Sequence, residues 1–241
     1  MELHLDIAGR MTGDMFIAAL LDAFPGYEEF VIAAIDAACE AYPVDCRLQY
    51  VRENHLRGQH FIIEPYTHYF GHLNADPDEE RESWGVLRQR LQSANLPAGV
   101  RRHAFGVLLL LTRERAGGLD SSLDAVTFSK NEGWQMIAQA VGAAAVIDSL
   151  GSATWTAFAS SRYVATAIGR AILTHLGTHP QYSQTRSPNS SRSILRSTGV
   201  GLAGPGDAHV RVTCFDELGA GAVPGTQAEI PTAGDQQGSR S

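Results

Sequence analysis

A chain of 241 residues, 44% hydrophobic and 19% charged, has the composition of an ordinary folded globule, long enough for one sizeable domain or two small ones. Its net charge of −7 excludes a general nucleic-acid surface, and the one weakly basic stretch, residues 186–196, is Ser-rich without interleaved aromatics. The longest purely apolar run, residues 107–111, is far short of the ~18 residues of a membrane span. Cys39, Cys46 and Cys214 form neither a disulfide framework nor a thiolate zinc site, so the expectation is a cytoplasmic protein with no membrane or nucleic-acid partner.

In chain order, Leu3, Leu5 and Ile7 alternate with His4 and Asp6, the period of a half-buried strand. Gly9 and Gly13 then allow a turn, and Thr12 or Asp14 caps a helix predicted over residues 14–24. The free N–H groups at such a helix start welcome an anion, which makes DIAGRMTGDMF a candidate phosphate or carboxylate cradle. It is no Walker loop, because no Gly-Lys-Ser/Thr follows, and a capped turn without a ligand is the plain alternative. A second helix is predicted over residues 28–42, with Phe30, Ala33, Ala34, Ile35 and Ala38 on one stripe. Residues 44–52 and 59–63 read as a hairpin around ENHLRG, followed by a polar loop over residues 64–83 that carries two histidines.

Residues 82–93 should be helical, and a longer helix should follow Pro97 and stop at Gly117-Gly118. Residues 125–129 and 154–159 read as short strands, and residues 133–150 and 164–176 as helices. The stretch GVGLAGPGD reads as a glycine turn before the strand HVRVTCF, and residues 219–241 as a disordered tail. The fold class is α/β or α+β, helix-rich with a small mixed sheet.

Among nine histidines, His68-x-x-x-His72 and His175-x-x-x-His179 have the spacing at which two imidazoles on a helix can chelate a divalent ion. Gly71 interrupts a helix at the first pair and Pro180 truncates the second, so spacing alone favours exposed histidines with no ligand. Glu132, just before the 133–150 helix, is either a metal ligand or a favourable charge at a helix N-terminus.

LDIAGRMTGDMFIAALLDA and TFSKNEGWQMIAQAVGAAAVIDSLG together resemble the LarC-type nickel-insertion proteins, which mature the nickel-pincer cofactor of lactate racemase. Asp6, Gly13, Asp14, Met15 and Phe16 match the first family motif, and Glu132 or its neighbour, Gly133, Val141, Gly142 and Asp148 match the second. THYFGH is weakly similar to the family's histidine-rich loop, and VATAIGRAILTHLG to a later helix. The resemblance implies nickel and CTP as cofactors, and a pyridinium-3,5-bisthiocarboxylic acid mononucleotide as the species metallated. It places Asp6, Gly13 and Asp14 at the cofactor, and His68, His72 and Glu132 at the metal.

The chain also departs from the family. Thr127 and Ser129 stand where the family has the two histidines of a His-Phe-His motif, and a segment near residues 154–164 is shortened. A low-complexity tail, residues 217–241, follows residue 216 in place of the CTP-binding domain. The resemblance therefore implies a single diverged domain over residues 1–216 with impaired lyase-type nickel insertion. It acts as a homo-oligomer or with a separately encoded C-terminal domain. The rival is a non-catalytic binding protein, a degenerate paralogue.

Overall fold

The computed structural model describes residues 1–53, 56–66, 81–117, 122–160, 164–181, 193–202 and 208–217. The first half contains β1 (Glu2–Ala8), β2 (Arg10–Met11), α1 (Gly13–Ala23), α2 (Glu28–Ala38), β3 (Val44–Glu53) and β4 (Leu56–Pro65). It continues with β5 (Arg81–Ser83), α3 (Trp84–Ser93) and α4 (Ala98–Arg115). The second half contains β6 (Thr127–Ser129), α5 (Lys130–Leu150), β7 (Thr154–Ala159), β8 (Val164–Ala165), α6 (Ala167–His175), β9 (Ser193–Leu202) and β10 (His209–Glu217).

The main sheet has the order β3-β4-β9-β10-β1-β7. The β1–β7 and β4–β9 pairs are parallel and the others antiparallel, so the mixed sheet and the α/β class expected from the sequence are both present. Strand alternation separates its two faces. Leu3, Leu5 and Ile7 are buried beside their β10 partners Cys214, Val212 and Val210. On the other face the His4 ring meets Phe158 and Phe215, with ring centres 5.6 and 4.9 Å away.

α1 lies on the buried face, and two glycines set how deep it sits. A Cβ on Gly199 would collide with the Ala19 carbonyl oxygen, and one on Gly201 with that of Met15, so helix backbone rests directly on strand backbone. This corrects the turn predicted at GVGLAGPGD. Residues 199–202 are strand, and their glycines serve close approach rather than reversal. Residues 203–207, the rest of that stretch, lie outside the described residues.

α5 crosses over α1 and α2 and is buried on nearly every side, with Gly142 leaving room for the Ile17 and Ile35 side chains. An added Cβ there would stand 2.7 Å from one and 3.0 Å from the other. That all-round burial explains why α5 is Ala-rich.

Other boundaries moved for identifiable reasons. Residues 82–83, predicted as the start of a helix, pair instead with β6 together with Arg81, which leaves α3 to begin at Trp84. The Glu82 carboxylate there receives two hydrogen bonds from Arg90, at 2.5 and 2.6 Å, and one from the Tyr42 hydroxyl at 3.4 Å. Residues 164–165 pair with β2, so the last helix starts at Ala167. α2 ends at Ala38, short of the predicted residue 42. Gly117, at φ 78°, supplies the left-handed residue after α4 that the sequence anticipated. Among the described residues no helix is long and apolar enough to cross a membrane.

Candidate functional site

The Gly-Asp motif does what a helix start requires. The Thr12 hydroxyl accepts a 3.3 Å hydrogen bond from the Met15 N–H and caps α1. Asp14 follows in the first turn, where a carboxylate suits the positive end of the helix dipole. Burial nonetheless pushes its carboxyl above the usual carboxylate range, against the opposing pull of the Thr12 hydrogen bond and of His60. A desolvated carboxyl of this kind gains from a cation placed beside it.

Space for one exists. A cleft of about 310 Å³ is bounded by Asp14 of α1, residues 60–64 of β4, Leu202 at the end of β9, and Gln135 and Gln139 of α5. Five consecutive strand residues can line one cleft only edge-on, because successive side chains point to opposite faces. The hairpin fixes which backbone groups this edge offers. The Tyr66 N–H donates to the Pro43 carbonyl, so the even-numbered residues of β4 pair with β3 and the odd-numbered ones turn away. Gln59 uses that outward direction to meet Gly201. Among the described residues β9 ends one residue later, and Phe61 and Ile63 turn their N–H and C=O groups away from β3, toward the cleft side.

Gly13 has a local reason. A Cβ at that position would stand 2.6 Å from Oε1 of Gln139, so the glycine leaves Gln139 its place beside Asp14. Gln135 and Gln139, one turn apart, bring two amides to the wall opposite β4. Glu64, at the far end, pairs at 2.9 Å with exposed Arg47.

The structure brings together only part of the set predicted from sequence. Gly13 and Asp14 are at the cleft. Asp6 lies on the opposite face of β1 from Leu5 and Ile7, directly across from Arg211 of β10. Glu132 occupies the first turn of α5, where its N–H donates to the capping Ser129 hydroxyl at 3.2 Å and its carboxylate pairs with Arg115. His68 and His72 lie outside the described residues. His60, Gln135 and Gln139 were not anticipated. The only sequence signal was the i, i+4 spacing of two glutamines on an otherwise apolar helix.

The two positions where the resembled family carries histidines hold structure here. Thr127 accepts from the Arg81 guanidinium at 2.9 Å, joining β5 to β6, and Ser129 caps α5. Burial, with Asp36 nearby, pushes the Cys39 and Cys46 thiols up to about 12, so neither offers a thiolate near neutral pH. Among the described residues no group of three or more His, Cys, Asp and Glu side chains is arranged to hold a metal ion. The cleft offers one imidazole, the Asp14 carboxylate, the Arg47-paired Glu64 carboxylate and several amide groups. That nitrogen and oxygen set suits a borderline divalent ion bound with open positions.

The profile of the family described as nickel insertion protein matches residues 3–176. The chain belongs to the nickel insertion protein family. No curated protein and no solved structure matches the chain. For a member of this family nickel is the cargo, and the cleft lies almost wholly within the matched span. Among the described residues only Leu202 comes to its lining from beyond the match, which stops just past α6 and leaves β9 and β10 outside.

Proposed function

We propose that this nickel insertion protein receives nickel at the cleft between α1, β4 and α5, with the Asp14 carboxylate and the His60 imidazole as its donors. The observation that carries the reading is the desolvated Asp14 carboxyl, held in the family's Gly-Asp motif and facing a cleft it shares with an imidazole. Nickel accepts both donor types, and the unused coordination positions are what transfer to a second ligand needs. The acceptor is the pyridinium-3,5-bisthiocarboxylic acid mononucleotide of lactate racemase maturation, with Gly13 and Asp14 at its binding edge. CTP is the nucleotide that activates the insertion. His68 and His72 pass nickel toward the cleft, Glu132 stays with Arg115, and Asp6 serves the motif through β1. The domain spans residues 1–216, acts in the cytoplasm, and inserts nickel poorly.

Thr127 and Ser129 favour a second reading. Both hydroxyls serve strand pairing and capping where the family's histidines would stand, so the chain holds nickel without catalysing its insertion. The test is calorimetric titration of the purified chain with nickel, with zinc and cobalt as competitors. Stoichiometric binding, weakened about tenfold or more by His60→Ala or Asp14→Asn, is the expected result. Unchanged affinity in both variants overturns the cleft. Loss confined to a His68→Ala/His72→Ala double variant moves the site to that loop. A binding chain would then be assayed with CTP for metallation of the mononucleotide, and absence of product selects the non-catalytic reading.

A further inference from the structure

α6 is held at both ends by contacts outside the cleft, and the contact at its C-terminal end contains two imidazoles. His175, the last residue of α6, faces His103 of α4, with His103 Nδ1 and His175 Nε2 2.9 Å apart. The ring centres are 5.2 Å apart, close to the largest separation such a contact permits, so the two nitrogens lie between the rings and point at each other. That geometry is a single N–H···N hydrogen bond rather than a chelate, in which both lone pairs would converge on a third point. The His175 ring sits where Gly106 of α4 has no side chain. A Cβ there would stand 2.5 Å from its Cε1.

The protons of this contact follow from its neighbours. Arg102 has only donors, and its guanidinium lies 3.4 Å from His103 Nε2, which must therefore accept. The His103 proton is then on Nδ1 and is donated to His175 Nε2, which leaves the His175 proton on its own Nδ1. The two ring nitrogens without a proton in the neutral pair are thus His103 Nε2 and His175 Nε2. An added proton must either face Arg102 or place a second hydrogen between two nitrogens 2.9 Å apart. Among the described residues Asp148 of α5 is the acidic group that acts on His103 and opposes this in part, while Arg102 adds to it. Arg170 of α6 and Glu114 of α4 pair at the surface and join the same two helices. Burial holds both imidazoles below the usual histidine range, in keeping with a contact built for the neutral state.

The other end of α6 holds the motif turn. The Thr166 N–H and hydroxyl both donate to the Met11 carbonyl, at 2.9 and 3.1 Å, and β8 pairs with β2 immediately before the Thr12 cap. Gly169 gives the Met11 carbonyl room against the first turn of α6.

We propose that the His103–His175 contact is a proton-operated clasp: neutral, it seats α6 on α4, and with both rings protonated, which puts two hydrogens between Nδ1 and Nε2, it releases α6 and loosens the Met11–Thr12 turn that presents Asp14. The effect on nickel rests on the cleft reading above, whereas the clasp itself does not.

Amide hydrogen exchange at pH 7.5 and 5.5, corrected for intrinsic rates, tests the clasp without any ligand. In the wild type, protection at Leu176 and Thr178 should fall about tenfold or more at the lower pH, with a parallel fall at Thr166 and Met15. In His175→Gln, and independently in His103→Gln, the amide can donate or accept toward the remaining imidazole, so protection should lose this pH dependence. Wild-type protection that ignores pH, or that falls equally in both variants, overturns the clasp. Loosening confined to α6, with Thr166 and Met15 unchanged, overturns its link to the turn. Nickel titration at the same two pH values reads the consequence. The wild-type loss of affinity at pH 5.5 should exceed that of His175→Gln, and equal losses would limit the clasp to the apo fold. If no nickel binds at either pH, the cleft reading fails while the exchange result still decides the clasp.

Discussion

The two flanks of α1 are packed by opposite means. Over β9, Gly199 and Gly201 bring helix and strand backbones into direct contact, and nothing fits between them. Toward β4, beyond the end of β9, the same helix stands off and leaves a cleft of about 310 Å³ lined by Asp14, His60 and two glutamines. The open side depends on the closed one. Two missing side chains on β9 fix the depth of α1, and that depth decides where Asp14 is presented.

Breaking the closed side should have the largest effect. Gly201→Val drives a branched side chain into the Met15 carbonyl and should cost about 3 kcal/mol or more in urea unfolding, since the backbone it meets cannot repack as a side chain would. Any folded remnant should bind nickel poorly. Arg90→Ala sharpens the comparison from elsewhere in the molecule. It leaves the half-buried Glu82 carboxylate without its guanidinium and should cost roughly 2 kcal/mol, yet leave nickel affinity unchanged. If Arg90→Ala weakens nickel binding as much as Gly201→Val does, depth of α1 is not what matters. Thr12→Ala removes the cap between the two flanks and should cost about 1 kcal/mol, read as a lowered Tm.

Asp14→Asn has the smallest effect on stability, and its sign is the informative part. A carboxyl whose pKa is raised by folding binds more protons in the folded state. Its contribution therefore falls as pH rises from the ordinary carboxylate range through the raised value. At pH 7 the variant should be slightly more stable than the wild type while losing nickel affinity. The histidine pair has the opposite dependence. Its pKa values are lowered, so its contribution is complete above the ordinary histidine value of about 6.5 and is lost as pH falls below it. A thermal-unfolding series from pH 8 to 4 on the wild type, Asp14→Asn and His175→Gln separates the two.

Much of the fold could be read from periodicity. Leu3, Leu5 and Ile7 announced β1 because burial on one face leaves a repeat in the chain, and α5 was legible as the helix predicted over residues 133–150. Gly199 and Gly201 could not be read correctly. A glycine that makes room for a helix distant in sequence looks the same as one that turns the chain. Arg81, Glu82 and Ser83 were misplaced for a related reason: their strand character comes from pairing with residues 127–129. At the site, Gly13 and Asp14 were legible through their motif. His60 was not, since a lone histidine in a strand shows nothing of the cleft it lines. Glu132 carried a motif-like position and a helix-start charge together, and in the fold it is held by Arg115.

The wall that β4 turns toward the cleft has a consequence for descent. Phe61 and Ile63 offer amide and carbonyl groups there, and these are identical whatever residues occupy the two positions, proline apart. Substitution can strip a lineage of its histidines and carboxylates one by one, yet this part of the wall is inherited with the hairpin itself. A chain that has drifted far in its side chains still keeps this edge in a form that point mutation barely touches.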